Sequence, residues 1–498
     1  MSRVSDAVSQ ITESGAMSRI TDGQYSPELT SSTRLKASGS FCLKNRFRHF
    51  LIVIALACLS IVNSNITAFN QVIMCIKNET DSSEPHYPIT ISEEAWLQQA
   101  IGVGSLLGTF PYNYGFSKIG AKYLFGVCGF ISGICGALTP LAAKSGFWWF
   151  FTMRFIQGFI FSADFSMVGL LITKWSPLNR SAFTVSLLTL FTPISSVITF
   201  ALSGPACESS MGWPILYYGL AVATFVCFTL WFVFYNDEPA NNRFLSQEEY
   251  DLISEGKNKE EMAKKQTNIP YMKIFKSPTI WTVWYNAFAD MFSSFFFYAY
   301  IGRFHVHVLK FDTITAGYLA ALPPAPFIIT KLFFGYANDR MTCCSERIKI
   351  NIFNTVDVMG MGIFLFATGA IPPEYWYLTI TALCLTYVSM SFAGGAFYKC
   401  AHLAARQYSS FVIAMIQFLK SVSLLTVPSL FALVIRTDED LDKMERWRPA
   451  FFTLAGLMFS AGFLFYFFST ADPLPFTKTG ESSSEDETAT KSKEESQV

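Results

Sequence analysis

The sequence predicts an all-α integral membrane protein, with twelve transmembrane helices arranged as two six-helix halves. Of its 498 residues, 51% are hydrophobic and 15% are charged, whereas a soluble protein carries about a quarter charged residues. Apolar runs recur along the chain at the length of about 20 residues that a helix needs to cross a bilayer. A long hydrophilic segment separates the first six runs from the last six. The runs are predicted to be helical because an open strand would leave its backbone polar groups unpaired in lipid.

The predicted organisation follows chain order. Residues 1–48 are rich in Ser and Thr and lack the apolar core and cleavage site of a signal peptide, so they are predicted to form a disordered cytosolic tail. The charged segment 236–277 is predicted to be a cytosolic loop between the halves 49–235 and 278–470, and the polar residues 471–498 form a second disordered tail. The predicted spans are 49–76, 94–116, 122–142, 147–173, 182–204 and 213–235, then 278–308, 314–336, 349–370, 375–398, 409–435 and 447–469.

Basic residues predict the orientation. Five of them precede the first span within residues 34–48, and others occupy the even-numbered loops, which places both termini in the cytosol. The last outer loop, RTDEDLDKMERWR, departs from this trend. The first outer loop contains the sequon Asn78-Glu79-Thr80, consistent with glycosylation at Asn78. The choice between the plasma membrane and a vesicle or lysosome membrane stays open.

Composition also disfavours several classes of function. The net charge of +0 argues against nucleic-acid binding, and the expected surroundings are the lipid bilayer. The eleven cysteines are scattered without metal-ligand spacing, and one disulfide, between Cys75 and Cys207, is left open. The sequence has no nucleophile–His–acid set and no Gly-rich phosphate loop, so neither an enzyme nor a cofactor is expected.

Two short loops at equivalent places in the halves indicate a repeat. The loop after the second span reads GFSKIGAK and the loop after the eighth reads GYANDRM. Six plus six helices in two repeats are typical of the major facilitator fold. In that fold such loops hold the cytoplasmic gate, a role predicted here for Lys118, Asp339 and Arg340; two ordinary polar turns are the alternative.

A series of residues in fixed order carries a closer family resemblance. It covers roughly residues 49 to 470 and comprises Arg154, Gln157, Gly158, Lys174 to Pro177, Arg180-Ser181, Gly212 to Pro214, Tyr218-Gly219, Pro239, Leu245-Ser246, Glu248-Glu249, Pro278, Phe288, Phe311, Gly317, Leu319 to Pro323, Gly335, Asp339, His402 to Ser410 and Trp447. With these residues the chain resembles the anion:cation symporter branch of the major facilitator superfamily, which includes the sodium–phosphate cotransporters, sialin and the vesicular glutamate transporters.

The resemblance implies a secondary transporter of a small organic or inorganic anion, of phosphate or carboxylate type. It implies alternating access driven by Na⁺ or H⁺ as the coupling ion. One chain would contain a complete carrier, and the oligomeric state is left open.

Arg154 is the first candidate for substrate binding, because an arginine within an apolar span usually faces a cavity or a partner. The resemblance implies that it contacts the anionic substrate, and a structural ion pair is the alternative. Four residues, Asn63, Asn65, Asn70 and Gln71, give the first span a polar character at cavity depth that suits hydrogen-bonding a ligand, and Asn63 and Asn65 are the predicted substrate-binding residues among them.

Asp290, near the middle of the seventh span, is a candidate for coupling or gating, since a buried carboxylate can load and release a proton. The alternative is a static pair with Lys420 at similar depth. Asp164 is predicted to be a gating or packing partner, with a ligand-binding group as an equal alternative. Asp357 lies in a peripheral span, which favours structural pairing, and Lys331 is predicted to snorkel from the end of the eighth span.

Two positions depart from the family pattern. Ile66 stands where relatives carry an arginine, and Phe161 stands where relatives that couple to protons carry a glutamate. These departures keep two alternatives open: a facilitator of a neutral or cationic solute, and a non-transporting membrane sensor built on a transporter fold.

Overall fold

The computed structural model describes residues 46–78, 89–177, 181–254, 270–341 and 344–477. Within these ranges every regular element is helical, which confirms the predicted fold class. The first half contains α1 (Phe47–Asn78), α2 (Ile91–Lys118), α3 (Ala121–Ser145), α4 (Phe147–Phe161 and Asp164–Trp175), α5 (Ser181–Leu188 and Phe191–Cys207) and α6 (Pro214–Phe234).

The second half repeats this pattern. It contains α7 (Pro278–Arg303, continued by a π-helical turn Phe304–Val308), α8 (Thr313–Ala321 and Pro324–Arg340), α9 (Glu346–Asn354, a π-helical turn Thr355–Met359, and Gly360–Ala370), α10 (Trp376–Met390 and Phe397–Ala405), α11 (Ser409–Val434) and α12 (Met444–Phe468). Short helices at Pro239–Asn241, Gln247–Ser254 and Tyr271–Phe275 lie between the halves. Others at Pro373–Tyr375, Arg406–Tyr408 and Asp438–Leu441 lie between the long helices of the second half, and Ala393–Gly395 lies between the two segments of α10.

Length and apolar composition qualify ten helices of the described chain as candidate membrane spans. The two predicted spans that do not qualify are α2 and α7, although they are 28 and 26 residues long. Both carry polar side chains on buried faces, among them Glu94 and Gln98 in α2 and Asn286, Asp290 and Arg303 in α7. Their low apolar content therefore arises from polar side chains on the faces that they bury, while α2 also presents Trp96, Leu107 and Phe110 on its exposed face.

Four of the long helices are interrupted along their length. α4 breaks at Ser162 and Ala163, α5 breaks after Leu188, α8 breaks where Pro323 and Pro324 follow each other, and α10 breaks between Met390 and Phe397. Proline lacks the backbone N–H that a helix interior requires. Non-helical backbone at membrane depth is tolerated where it is buried in protein or lines a cavity, and Ser162 and Ala163 are fully buried. The interruptions thus mark the inner surface of the bundle.

The face where α1 ends and α2 begins is called the distal face, and the opposite face is called the proximal face. At the distal face, Cys75 in α1 forms a disulfide with Cys207 at the end of α5, with 5.9 Å between their Cα atoms. The bridge that the sequence left open is therefore formed. At the proximal face, the ring of Phe47 at the start of α1 lies 6.4 Å from that of Trp175 at the end of α4.

The two halves meet along two close helix contacts, α2 with α11 and α5 with α8. A methyl group on Gly102 would lie 2.6 Å from the backbone nitrogen of Leu425, and one on Gly204 would lie 2.6 Å from the Cα atom of Ile314. Small residues at such positions let helix backbones approach closely in a membrane. These contacts enclose the space between the halves on two sides.

Candidate functional site

A central cavity lies between the halves. Polar and apolar side chains from α1, α2, α4, α5, α7 and α11 line it: Asn63, Ile66, Thr67, Asn70, Gln98, Ile101, Phe161, Thr192, Phe295, Tyr298, Ala299, Leu424, Val427 and Pro428. The polar members of this lining are amides and hydroxyls, and none of the lining residues carries a charge. The cavity is therefore suited to hydrogen-bonding a small solute on an apolar background.

Hydrogen bonds hold the polar side chains of α1 in position. Asn63 Nδ2 donates to Ser195 Oγ of α5, and the Thr67 hydroxyl lies 3.3 Å from the Thr199 hydroxyl of the same helix. Asn70 Nδ2 donates across the cavity to the carbonyl oxygen of Tyr298 in α7 at 3.3 Å. The predicted candidate Asn63 thus lies in the cavity wall, together with Thr67 and Thr192, which the sequence did not single out.

Arg154 lies directly behind this wall and is fully buried. Its Nη1 donates to the carbonyl oxygen of Ile66 at 3.0 Å and to Gln157 Oε1 at 3.2 Å. Its guanidinium carbon lies 4.5 Å from the centre of the Phe69 ring. Its Nε and Nη2 have no hydrogen-bond acceptor among the described residues. Because Ile66 lines the cavity, one backbone carbonyl separates the guanidinium from the solute space.

Asn65, the other predicted binding residue of α1, lies on a different face of the helix. Its Nδ2 donates to Ser132 Oγ of α3 and to Thr224 Oγ1 of α6, both at 3.1 Å. Residues two apart on a helix point in different directions, so Asn63 and Asn65 cannot both face the cavity. The structure therefore does not bring Asn65 to the solute space.

Lys420 in α11 forms an ion pair with Asp164 in α4, and both side chains are buried. Gln417, one turn earlier in α11, donates to Asp164 Oδ1 at 3.3 Å. The pair of Lys420 with Asp290 that was considered from the sequence is not the one that forms, because α11 presents Gln417 and Lys420 to the break in α4. Asp164 is thus one side of a contact between the halves.

A second buried ion pair, between Glu94 in α2 and Arg303 in α7, closes the distal side of the cavity. Next to it, the Tyr300 hydroxyl donates to Gln98 Oε1 at 2.8 Å. Glu94 is not among the site residues predicted from the sequence. In the sequence, Glu94 is an acid at the start of an apolar span. Its role in the site becomes recognisable only when α7 brings its partner Arg303 next to it.

The predicted gate residues lie at the proximal face. Lys118 and Arg340 are exposed at the ends of α2 and α8, and the Arg340 guanidinium lies 5.4 Å from the ring of Tyr336. The side chains of Asp339 and of the predicted glycosylation site Asn78 lie outside the described residues. The gate roles stay predictions.

A twelve-helix membrane bundle with a polar cavity between two similar halves is the architecture of a solute carrier. The family model described as Major Facilitator Superfamily matches residues 49–428. The chain belongs to this superfamily.

Its curated relatives are transporters of the branch that the sequence resembles, which confirms the resemblance. The chain is 22% identical to human sialin over 412 residues, covering 80% of this chain and 79% of sialin. It is 24% identical to the probable small intestine urate exporter of Mus musculus, covering 80% and 81%. It is 25% identical to sodium-dependent phosphate transport protein 1 of Oryctolagus cuniculus, covering 73% and 80%.

Solved structures share the fold. The xylose transporter XylE from E. coli, in an inward-open conformation, aligns with a TM-score of 0.61 at 11% identity, covering 84% of this chain and 96% of that chain. A bacterial homologue of the human lysosomal transporter Spinster aligns with a TM-score of 0.58 at 12% identity, covering 86% and 97%.

Proposed function

We propose that the chain is a secondary transporter of a small organic anion that carries a single negative charge. The central cavity binds the solute, and the two halves rock about it to expose it to either side in turn. With both termini in the cytosol, the distal face is extracellular or lumenal. The observation that carries the proposal is the buried guanidinium of Arg154, which no carboxylate contacts among the described residues.

The other ionised groups near the cavity differ from Arg154 in this respect. Arg303 pairs with Glu94 and Lys420 pairs with Asp164, so each of those cations is neutralised within the protein. An unpaired buried charge costs several kcal/mol, about as much as breaking a buried ion pair. A substrate carboxylate would supply the missing negative charge, and the planar guanidinium suits a bidentate contact with it.

A substrate in the cavity can contact Arg154 only if the cavity wall at Ile66 moves slightly. The Nη1 group is occupied by the Ile66 carbonyl oxygen, whereas Nε and Nη2 are free to donate. The amides of Asn63 and Asn70 and the hydroxyl of Thr67 surround the place where an anion would enter. Because Ile66 stands where the family pattern has a second arginine, Arg154 is the one cation proposed to bind the substrate. One cation balances a single negative charge on the substrate.

The neutral lining of the cavity favours a second candidate, the facilitated transport of a neutral polar solute. The lining residues contribute amide and hydroxyl groups but no charge. In that case Arg154 would stabilise the first half through its hydrogen bonds to Ile66 and Gln157, and transport would not depend on its charge.

Uptake into proteoliposomes separates the two candidates. Radiolabelled sialate, urate, phosphate, glutamate and a neutral hexose are offered with and without pH and sodium gradients. We expect uptake of a monoanion, and we expect Arg154→Gln to lower it by about tenfold or more, because a hydrogen bond to a charged group contributes about 1.5–3 kcal/mol. Arg154→Lys should retain part of the uptake, since the positive charge stays.

Arg243→Gln is the matched control, because it removes an arginine from an exposed position between the halves. It should transport like the native chain. Uptake of the hexose without the anions, unchanged in Arg154→Gln, would refute the anion proposal and support the neutral solute.

A further inference from the structure

Two aspartates of the second half lie together one helical turn from a buried hydrogen bond. Asn354 Nδ2 of α9 donates to Asn286 Oδ1 of α7 at 3.1 Å. These two helices run in the same direction, because one antiparallel helix separates them in the chain. Asp290 follows Asn286 by four residues and Asp357 follows Asn354 by three, so both acids lie one turn further along the same helix faces. Their carboxylates interact electrostatically.

Both acids are buried and largely without partners. Asp357 is 0% exposed and Asp290 is 8% exposed. Neither oxygen of Asp357 accepts a hydrogen bond from any described residue, and the same holds for Asp290 Oδ1. Asp357 also occupies the middle of the π-helical turn Thr355–Met359, a local irregularity that frequently occurs at functional sites. These carboxylates are therefore not used by the packing of the helices.

Lys331 in α8 is the cation that interacts with both acids. The prediction that it snorkels to the membrane edge is wrong. Its Nζ lies 3.4 Å from the carbonyl oxygen of Thr189, in the break of α5 in the opposite half. Within the part of the chain that the structure describes, one lysine thus stands against two carboxyl groups, so ionisation of both would leave one negative charge without a counter-charge. The same lysine is a contact between the halves.

The surrounding helices add hydroxyl groups at the acids, and no further cation lies there among the residues that the structure describes. Tyr298 of α7 interacts with Asp290, and Tyr398 of α10 interacts with Asp290, Asp357 and also Asp164. Asp164 is itself paired with Lys420. The charge of that pair is balanced, so it does not neutralise the two aspartates.

We propose that Asp290 and Asp357 form a proton-binding site, with Lys331 as the group that transmits its occupancy to the opposite half. The proposal rests on the transport function proposed above and assigns its coupling ion. A buried carboxylate without a partner is neutralised most simply by a proton. A hard metal cation needs several oxygen ligands and would meet the positive charge of Lys331.

The coupling step involves one proton and no other chemistry. A proton from water on one side of the membrane forms an O–H bond with one carboxylate oxygen, which leaves one negative charge for Lys331. Release of that proton to water on the other side restores two negative charges and draws Lys331 toward α7 and α9. The ammonium then leaves the Thr189 carbonyl, and the contact between α8 and α5 weakens.

The position of Phe161, where the family resemblance implies a glutamate, holds no acid in this chain. The centre of its ring lies 4.0 Å from Lys420 Nζ, and Lys420 pairs with Asp164. The two aspartates of the second half share one lysine among the described residues, so the site proposed here lies in the layer between α7 and α9.

Proton binding is measured first without any substrate. Infrared difference spectra of the purified full chain in lipid, recorded between acidic and alkaline buffer, report the C=O stretch of a protonated carboxylic acid. We expect such a band in the native chain and its loss in both Asp290→Asn and Asp357→Asn. Asp251→Asn is the control, because Asp251 is an exposed acid that accepts a hydrogen bond from Gln247. An unchanged band in both site variants would overturn the proposal.

Transport then tests coupling, with the solute that the native chain takes up in the screen above. We expect Asp357→Asn to lose accumulation driven by a pH gradient but to keep solute exchange at equal concentrations, which needs no net proton movement. Retained exchange shows that the variant is folded. Accumulation by Asp357→Asn at the native level, or dependence of the native chain on sodium and not on pH, would refute the proton site. If the native chain transports nothing, the function proposed above fails, while the infrared result still decides whether the acids bind a proton.

Discussion

The two halves of the molecule differ in the buried ionisable groups that lack a full counter-charge among the described residues. In the first half, Arg154 is buried with hydrogen bonds to neutral groups, and no described carboxylate contacts it. In the second half, Asp290 and Asp357 share one lysine of the described chain, Lys331. Repeats with the same helix order therefore hold different chemistry in their interiors. The two proposals accordingly assign anion binding to the first half and proton binding to the second.

Each ion pair that joins the two halves contains one acid and one base, so its charges cancel, unlike those of the buried groups inside each half. Glu94 with Arg303 and Asp164 with Lys420 each join an acid of the first half to a base of the second. These pairs must separate or shift when the halves rock. Residues in these ion pairs are therefore expected to stabilise a conformation, whereas the buried charged residues inside each half are proposed to bind a ligand.

Breaking a balanced pair should give the largest effect on stability. Lys420→Met leaves Asp164 buried without its cation, and we expect the free energy of unfolding to fall by about 3–5 kcal/mol. The double variant Lys420→Met with Asp164→Asn should recover most of this loss, since no isolated charge remains. Unfolding of the purified protein by titration with dodecyl sulfate measures both. A double variant no more stable than Lys420→Met would show that the pair is not the cause.

The disulfide stabilises the first half and has no counterpart among the described residues of the second. Cys75 and Cys207 enclose a loop with a sequence separation of 132 residues. We expect Cys75→Ser with Cys207→Ser to lower the free energy of unfolding by about 2–4 kcal/mol. Cys384→Ser, which replaces a free cysteine of α10, is the control and should change little. Equal stability of the two variants would exclude a structural role for the bridge.

Substitution of Asp357 and of Arg154 compares the stability contributed by a buried charged residue in each half. We expect Asp357→Asn to be more stable than Arg154→Gln by about 1–3 kcal/mol, because Arg154 makes two hydrogen bonds that glutamine cannot both replace, whereas Asp357 makes none with the described residues. Both variants should fold and differ from the native chain mainly in transport. Strong destabilisation by Asp357→Asn would indicate a structural acid.

An exposed acid of the second half should show the smallest effect. Asp442 Oδ1 lies 2.8 Å from Lys310 Nζ and 3.1 Å from His307 Nδ1. The hydrogen bond from Lys310 holds the pKa of Asp442 below its usual value. Its contribution to stability is therefore present above the pKa of an unfolded aspartate and is lost as the pH falls through the lowered pKa.

Since Asp442 is half exposed, Asp442→Asn should cost at most about 1 kcal/mol at neutral pH. The cost should vanish in acidic buffer, where the native residue is protonated as well. Thermal unfolding at several pH values checks this, and a cost that grows toward low pH would contradict it.

Much of the fold could be predicted because length and polarity are local properties. Each apolar run of bilayer length specifies a helix, and the hydrophilic stretch near residue 236 separates two sets of six. The break in α4 could not be predicted in the same way. Unlike α5, where Pro193 cannot donate a backbone hydrogen bond to Thr189, α4 contains no proline at its interruption. Its irregular backbone is tolerated because other helices bury it.

The candidate site was predicted only in part. Asn63 was placed in the cavity, and the unusual position of Arg154 within an apolar span was recognised. Asn65 lies in the interior of the first half, and Lys331, expected at a membrane edge, contacts the opposite half. These outcomes depend on how each helix is rotated about its axis.

The sequence by itself therefore determined the class of protein, the number and order of the helices and which spans contain charge. Only the tertiary structure decided how those charges are matched: Lys420 pairs with Asp164, Arg303 pairs with Glu94, and Arg154 pairs with no acid of the described chain. The physical reason is that a pair requires two side chains within a few ångströms. Helices hundreds of residues apart are brought to that distance by the packing of the whole bundle.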